Sequence, residues 1–401
     1  MGLSDRLLRA AGRPHVLVAT APGGTATRLA VEAAVRRRGW PAVANPADAD
    51  VLVVAGTMPA HLVSAVDEVW AGLPAPSTRI EVDQPGLADE CLGRARAVLL
   101  AGGHALERAP GSHVQGGAND MAKMDMAPMD MGDMDMGDMD MPAGLPMAER
   151  ADDRDGLKLD QLHLSLGPLL ADWPSGLALH LTLQGDVVQE ATAEAVGVGS
   201  DGSFWDEPWE RVRAGGEATV GEAARRRACS HLDSLGRLLA VAGWPDAAVV
   251  ARLLRDDLLG GAPRGAVSAR FDRLARRVGR SRVLAWMTGG LGGLDAGRVE
   301  AFGVGGPAAR TGGDVTARYR CWLAETAAAV DVLDDGRPLG EEAAEGPRGR
   351  LDRLAAPSRA LLDAAETLVA GAEVGAARLI VASLDPDVDE LAFRPLGRLG
   401  D

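Results

Sequence analysis

The chain has 401 residues, of which 47% are hydrophobic, and its formal net charge is −15 at pH 7. This length predicts two or three domains with real cores, and no basic face indicates nucleic acid as a partner. Cys91, Cys229 and Cys321 lie at least 92 residues apart, which argues against a disulfide framework, a zinc knuckle or a four-cysteine cluster.

The first third of the chain alternates short apolar runs with helical patterns. Strands are predicted at residues 15–20, 49–55, 78–82 and 97–100, and helices at 25–38, 61–70 and 87–95. This alternation indicates an α/β N-terminal domain, residues 1–112, whose parallel sheet carries helices on both faces. After the first strand, Pro22-Gly23-Gly24 opens a helix whose free N–H groups could hold an anion, although plain turn glycines are the commoner explanation.

A Met/Asp-rich linker is predicted at residues 113–155. From 118 to 155 there are eleven acids and three bases, so this segment carries −8 of the total charge of −15. Without aromatic or β-branched residues it cannot bury enough surface to offset the entropy of ordering, which is typical of a disordered tether. Four Met-x-Met units recur there every five residues: Met124, Met126, Met129, Met131, Met134, Met136, Met139 and Met141.

The last part predicts an α+β C-terminal domain, residues 156–401. Apolar and polar residues alternate at 157–166 and 177–183, and a third strand follows at 187–191, which indicates a small antiparallel sheet. A helix with Ala228, Leu232, Leu235 and Leu239 on one face ends at residues 243–245. Helical patterns follow at 246–259, 269–287, 314–333 and 357–370, and together they predict a helical bundle. Exposure to solvent is expected for His163, His180, residues 225–227 and His231. No catalytic triad is expected from Ser230, His231 and Asp233, because they lie too close together on one helix.

Residues 49–57, Ala-Asp-Val-Leu-Val-Val-Ala-Gly-Thr, and the helix ending at residues 71–76, Ala-Gly-Leu-Pro-Ala-Pro, resemble the B-type component of respiratory complex I. That family has paired cysteines after the first strand and another cysteine after the third. Here those loops read Ala-Thr-Ala-Pro at 19–22 and Asp-Gln-Pro-Gly at 83–86. The resemblance therefore implies an α/β fold without the family's iron–sulfur cluster.

Residues 166–191 resemble the start of the D-type component of complex I, a relative of the nickel–iron hydrogenase large subunits. Leu166-Gly167-Pro168 and the strand–turn–strand around Gly185 carry this resemblance. Residues 169–175 replace the hairpin in which that family has its quinone-site histidines. Near the end, Asp-Pro-Asp-Val-Asp at 385–389 stands where hydrogenases have the nickel-binding Asp-Pro-Cys-x-x-Cys.

Together the two resemblances imply a degenerate fusion, and no catalytic or cofactor-binding residue is assigned. The expected function is a non-catalytic, peripheral scaffold subunit of a complex-I-like, ion-translocating assembly. It would be cytoplasmic, on the inner face of the cell membrane, with membrane subunits of a complex-I-like or antiporter-like assembly as partners. Trp173, Trp205 and Trp209 are candidate interface anchors, and covering the protein's own core is an equally good explanation.

Two alternative functions remain open. One is binding of Cu(I) by the Met-x-Met repeat, because methionine thioethers are soft ligands that select this ion. Against it, Asp is a hard ligand, and a disordered segment binds at a cost in ordering entropy. The other alternative is an active NADH–quinone oxidoreductase subunit.

The copper alternative makes a direct prediction. If the repeat binds Cu(I), affinity should fall stepwise as the pairs from Met124/Met126 to Met139/Met141 are changed to Leu, because each change removes two thioether ligands. Competition titration measures this affinity. Equal titration of the wild type and of the variant with all eight leucines would leave the segment as a linker only.

Overall fold

The computed structural model describes residues 12–101, 105–107, 150–152, 158–197, 202–340, 344–351 and 356–391. At 105–107, 150–152 and 158–160 the description covers the backbone alone. The eight methionines of the repeat lie outside these ranges, as does most of the predicted linker. Copper binding and the linker boundaries therefore remain predictions.

The N-terminal unit is built on a parallel sheet in the order β1-β2-β3-β4. The strands are β1 (Val16–Thr20), β2 (Val51–Ala55), β3 (Thr78–Val82) and β4 (Ala105–Glu107). All five residues of β2 are buried, as expected for a central parallel strand covered on both faces. The predicted α/β class is confirmed.

Three helices cover this sheet: α1 (Thr25–Arg37), α2 (Val63–Ala71) and α3 (Ala88–Leu100). Val31 of α1 and Leu92 of α3 belong to one hydrophobic core, and Val66 of α2 belongs to a second. Residues 97–100, predicted as a strand, are the last turn of α3. The apolar run was misleading because Leu99 continues the helical face that packs on the core.

The C-terminal unit begins with an antiparallel sheet in the order β5-β6-β7-β8. The strands are β5 (Arg150–Asp152), β6 (Lys158–Leu166), β7 (Leu177–Gln184) and β8 (Val187–Ala195). Leucines 177, 179, 181 and 183 of β7 are all buried, so the alternation that predicted this strand is also the pattern that fills the core. Gly185, with φ of 62°, makes the tight turn into β8.

Helices form the rest of the unit and confirm the predicted bundle. They are α4 (Glu207–Arg213), α5 (Val220–Val241), α6 (Pro245–Leu259), α7 (Arg264–Gly279), α8 (Arg282–Thr288), α9 (Ala296–Phe302), α10 (Gly306–Thr311), α11 (Val315–Asp331), α12 (Pro357–Val369) and α13 (Val374–Leu384). Short 3₁₀ turns occur at Pro46–Asp48, Ala60–Leu62, Pro85–Leu87 and Val388–Glu390.

The long helix predicted at 269–287 is in fact two helices, α7 and α8. Ser281 lies between them in an extended conformation, and its side chain accepts a hydrogen bond from the Leu284 amide at 3.2 Å. A serine in this role begins a new helix, so the chain bends there. Throughout the described ranges, none of the helices combines the length and apolarity that crossing a bilayer requires.

Candidate functional site at the seam between the two units

The two units meet along a surface that we call the seam. On the N-terminal side it comprises α1 and the loop before it, and on the C-terminal side α5, α6 and residues 385–390. Leu29 of α1 is buried within the hydrophobic core of the C-terminal unit. Most of the charged residues of the seam lie on α1, α5 and α6, and each of these helices also has residues in a hydrophobic core.

Asp233, in the middle of α5, is the centre of the seam. Its side chain is 1% exposed and accepts hydrogen bonds from Arg28 of α1 at 3.1 and 2.8 Å. It also accepts from Arg237, at 3.0 Å, and from Arg255 of α6. Burial opposes the charge, but the three guanidinium groups outweigh it and hold the pKa of Asp233 well below its usual range.

A second carboxylate, Glu32 of α1, extends this network. Arg255, which is fully buried, donates to Glu32 at 2.9 Å and to Asp256 at 2.8 Å, and Arg36 donates to Asp256 at 2.7 Å. Despite burial, the surrounding arginines lower the pKa of Glu32. Desolvating so many charges offsets much of their attraction, so the network specifies one arrangement of the units more than it adds net stability.

Residues 385–390 connect this network to the N-terminal loop. Asp385 ends α13 in the left-handed conformation, with φ of 50°. Its carboxylate pairs with Arg348 and accepts from Arg237 at 2.9 Å, and its carbonyl oxygen accepts from Arg348 Nε at 2.6 Å. Asp385, the first residue of this segment, is therefore engaged with two arginines.

Asp389 crosses the seam to the first loop of the chain. Its carboxylate accepts from the Gly23 amide at 2.6 Å and from the Thr25 hydroxyl at 3.1 Å. The site predicted for an anion at Pro22-Gly23-Gly24 is thus occupied by a carboxyl group of the chain itself. Gly24 is needed there because a Cβ would lie 2.4 Å from the Ala55 carbonyl oxygen.

The hairpin between β6 and β7 contacts the same loop. The Ser175 hydroxyl lies 3.2 Å from the Thr20 carbonyl oxygen and 3.1 Å from that of Ala21, and can donate to either. At its other side, Asp172 forms an ion pair with Arg252 of α6. The hairpin segment at residues 169–175 is thereby held by contacts with the N-terminal loop and with α6.

A cleft of about 860 Å³ opens beside these contacts. Apolar side chains such as Val18, Val35 and Leu169 line it, together with five arginines. Each of the five is in an ion pair with a carboxylate of this chain: Arg28, Arg36, Arg237, Arg252 and Arg348. Their positive charge is therefore largely neutralised from within the molecule.

Four acidic side chains are buried at or near the contact between Asp389 and the first loop: Asp206, Asp387, Asp389 and Glu390. Asp387 accepts from the Ser203 hydroxyl at 2.7 Å, and Glu390 from the Ser358 amide at 2.8 Å. Burial and the nearby charge of Asp387 raise the pKa of Asp389 to about 7, and burial raises that of Glu390 to about 7. Burial, Glu390 and Asp387 raise the pKa of Asp206 well above its ordinary value.

The three tryptophans proposed as interface anchors are inside the molecule. Trp173, Trp205 and Trp209 are 6%, 2% and 3% exposed, and Trp173 Nε1 donates to the Leu177 carbonyl at 2.8 Å. Trp173 and Trp205 belong to the main core, and Trp209 to a small cluster with Ala223 and Leu351. The structure therefore favours the alternative that they cover the protein's own core.

The expectation of a solvated face on α5 is wrong. His231 is 2% exposed and bonded to Glu325 at 2.9 Å, and burial lowers its pKa. Arg225 donates to the Leu258 and Ala262 carbonyls at 3.0 and 2.8 Å. The physical reason is that α5 is the central helix, with 14 of its 22 residues buried, so it has little face left for solvent.

The structure also shows the surroundings of the other polar residues considered from the sequence. Ser230, His231 and Asp233 make contact with different partners, Arg348, Glu325 and the seam arginines, and do not form a triad. His163 and His180 are exposed on the sheet, where His180 contacts Ser165 and Glu194. Among the side chains that the structure describes, no three His, Cys, Asp or Glu residues converge to hold a metal ion.

Comparison with protein families and with characterised proteins finds no match. Among solved structures, the chain is similar to one from the membrane-bound sulfane sulfur reductase (MBS), an archaeal respiratory membrane complex. The identity is 14% and the TM-score 0.42, over 58% of this chain and 98% of that one. This is a coarse similarity, and it assigns no specific role in such a complex and no activity to the present chain.

The raised pKa values at the seam predict how one pair of substitutions acts at different pH. Asp389 and Glu390 have ordinary values of 3.8 and 4.5 and folded values of about 7, so the folded state holds more protons between these limits. Their contribution to stability is present at low pH and is lost as pH rises towards 7. In urea unfolding, the free energy of unfolding of the Asp389→Asn/Glu390→Gln variant, minus that of the wild type, should therefore rise between these pH values.

Subtracting the wild-type value removes the contribution of His231, which both proteins contain. The lowered pKa of His231 makes the free energy of unfolding rise with pH below 6.5, which is opposite to the effect of the two acids. The matched control is Asp363→Asn/Glu300→Gln, because both side chains are exposed. Its difference from the wild type should stay flat with pH. If the free energy of unfolding of the seam variant, minus that of the wild type, also stays flat or falls as pH rises, Asp389 and Glu390 do not hold extra protons in the folded state.

Proposed function

We propose that this chain is a non-catalytic, peripheral scaffold subunit of a complex-I-like, ion-translocating membrane assembly. In this proposal it lies on the cytoplasmic face of the membrane and docks onto antiporter-like membrane subunits. The observation that carries the proposal is the contact of Asp389 with Gly23 and Thr25. It joins the two segments in which the resembled families hold their metal centres.

The first of these segments is the loop after β1. In the family resembled by the N-terminal unit it carries paired cysteines, and here its carbonyl and amide groups bind Ser175 and Asp389. The second is the tail at residues 385–389, where hydrogenases carry nickel-binding cysteines. Here Asp385 binds Arg348 and Asp389 binds the first loop. Because the polar groups of both segments are used in contacts within the chain, we infer a structural role for each segment.

The energetics of the seam also suit a scaffold. A scaffold must hold its two units in one relative position so that both present a constant surface to their partners. A buried network in which Asp233 contacts three arginines tolerates little displacement, because an uncompensated buried charge costs several kcal/mol, roughly 3–5 for one broken pair. A fixed arrangement of the two units is useful to a scaffold even if the chain catalyses no reaction.

A pull-down from membranes tests the proposal. The tagged full-length chain should be recovered with the membrane fraction and should retain integral membrane subunits after detergent extraction. Asp389→Ala should reduce this recovery because it loosens the seam, whereas Asp363→Ala, at an exposed position, should not. Recovery of the wild type from the soluble fraction alone would contradict the scaffold proposal, as would a stoichiometric iron–sulfur cluster after anaerobic reconstitution.

A further inference from the structure

Helices α7 and α8 expose a basic and aromatic surface that the seam does not use. From Arg264 to Met287 there are seven arginines and one acid, Asp272, a net charge of +6 in a chain whose total is −15. We call the exposed part of this segment the arginine–tryptophan surface. It comprises Arg273, Arg276, Arg277, Arg280, Arg282, Val283, Trp286 and Met287, none of which is buried.

The arginines of α7 lie along one stripe of the helix. At about 100° per residue, positions 273, 276, 277 and 280 fall within an arc of about 100°. The opposite face packs inward through Val267, Phe271, Leu274 and Val278, all buried. The stripe therefore faces away from the protein, and Arg277 also stacks over the Trp244 ring at 5.0 Å.

The short helix α8 follows this stripe in the chain and exposes apolar side chains. Trp286 is 83% exposed, Val283 68% and Met287 36%, while Leu284 and Thr288 on the other face are buried. Val283, Trp286 and Met287 are spaced three and four residues apart, so they share one face, and Arg282 precedes Trp286 by four residues on that same face. Exposing so large an apolar side chain is costly in water unless a partner covers it.

We propose that the arginine–tryptophan surface docks this chain onto an anionic lipid bilayer. Arginines complement the negative charge of lipid phosphates, and tryptophan, with an apolar ring and a polar N–H, is suited to the headgroup region. Nucleic acid would satisfy the arginines but would leave Val283 and Met287 in water. An anionic lipid surface therefore accounts for both the arginines and the exposed apolar side chains of α8.

This inference deepens the scaffold proposal by assigning it a second, direct contact with the membrane. The two can fail separately. Recovery with membrane subunits but not with protein-free vesicles would overturn the lipid contact alone. Binding to vesicles without recovery of any membrane subunit would support the lipid contact and contradict the scaffold proposal.

The experiment is co-sedimentation of the full chain with two kinds of vesicle. One is pure phosphatidylcholine, and the other has equal parts of phosphatidylcholine and phosphatidylglycerol. The wild type should bind only the anionic vesicles, and high salt should release it. Replacing Arg273, Arg276, Arg280 and Arg282 by Gln should lower the partition coefficient by about a hundredfold or more, given the attraction of each arginine near such a surface. Trp286→Ser should lower it several-fold without changing the salt dependence.

A matched variant controls for net charge. Replacing Arg96, Arg213, Arg337 and Arg359 by Gln removes the same charge from exposed positions elsewhere and should leave binding nearly unchanged. Leu162→Ser, at a leucine that is 57% exposed, is the control for Trp286→Ser. Two results would overturn the proposal: no binding of the wild type, or equal losses in variants and controls. If the wild type fails to bind but the chain without residues 118–147 binds, the chain's own acidic segment is the occupant of the surface.

Discussion

The described structure depends most on the contact between Asp233 and the arginines around it. One carboxylate, 1% exposed, accepts from Arg28 of the N-terminal unit and from Arg237 and Arg255 of the C-terminal unit. Without it, three guanidinium groups would lose a shared partner in a place that water barely reaches. Arg28 and Arg237, two of the partners of Asp233, line the cleft, and Arg237 also pairs with Asp385 of the tail.

The contact between Asp389 and the first loop shows how that loop is used in this chain. The loop has an amide free to donate just before the N-terminus of α1, and such amides attract carboxyl groups. Asp389 supplies the acceptor from within the chain, at 2.6 Å from the Gly23 amide. In the scaffold proposal, this contact serves to hold the two units together.

Much of the fold could be predicted from the sequence, because hydrophobic periodicity reports local burial. The leucines of β7 and the apolar run of β2 are examples. The solvated histidine on α5 was predicted wrongly, since a polar residue off the apolar face becomes buried when other helices surround it. The seam was missed because the pairs that cross between the two units join residues 205 to 366 positions apart. Its only local signal was the four-residue spacing of Arg28, Glu32 and Arg36, and of Asp233 and Arg237, which is also typical of solvated helices.

The most direct test of this account is a double-mutant cycle across the seam, between Glu32 of α1 and Arg255 of α6. Unfolding free energies of the wild type, Glu32→Gln, Arg255→Met and the double variant give the coupling between these two side chains. The 2.9 Å contact between fully or largely buried groups predicts a coupling of about 0.5–3 kcal/mol. Strictly additive effects would contradict the claim that buried ion pairs hold the two units in one arrangement.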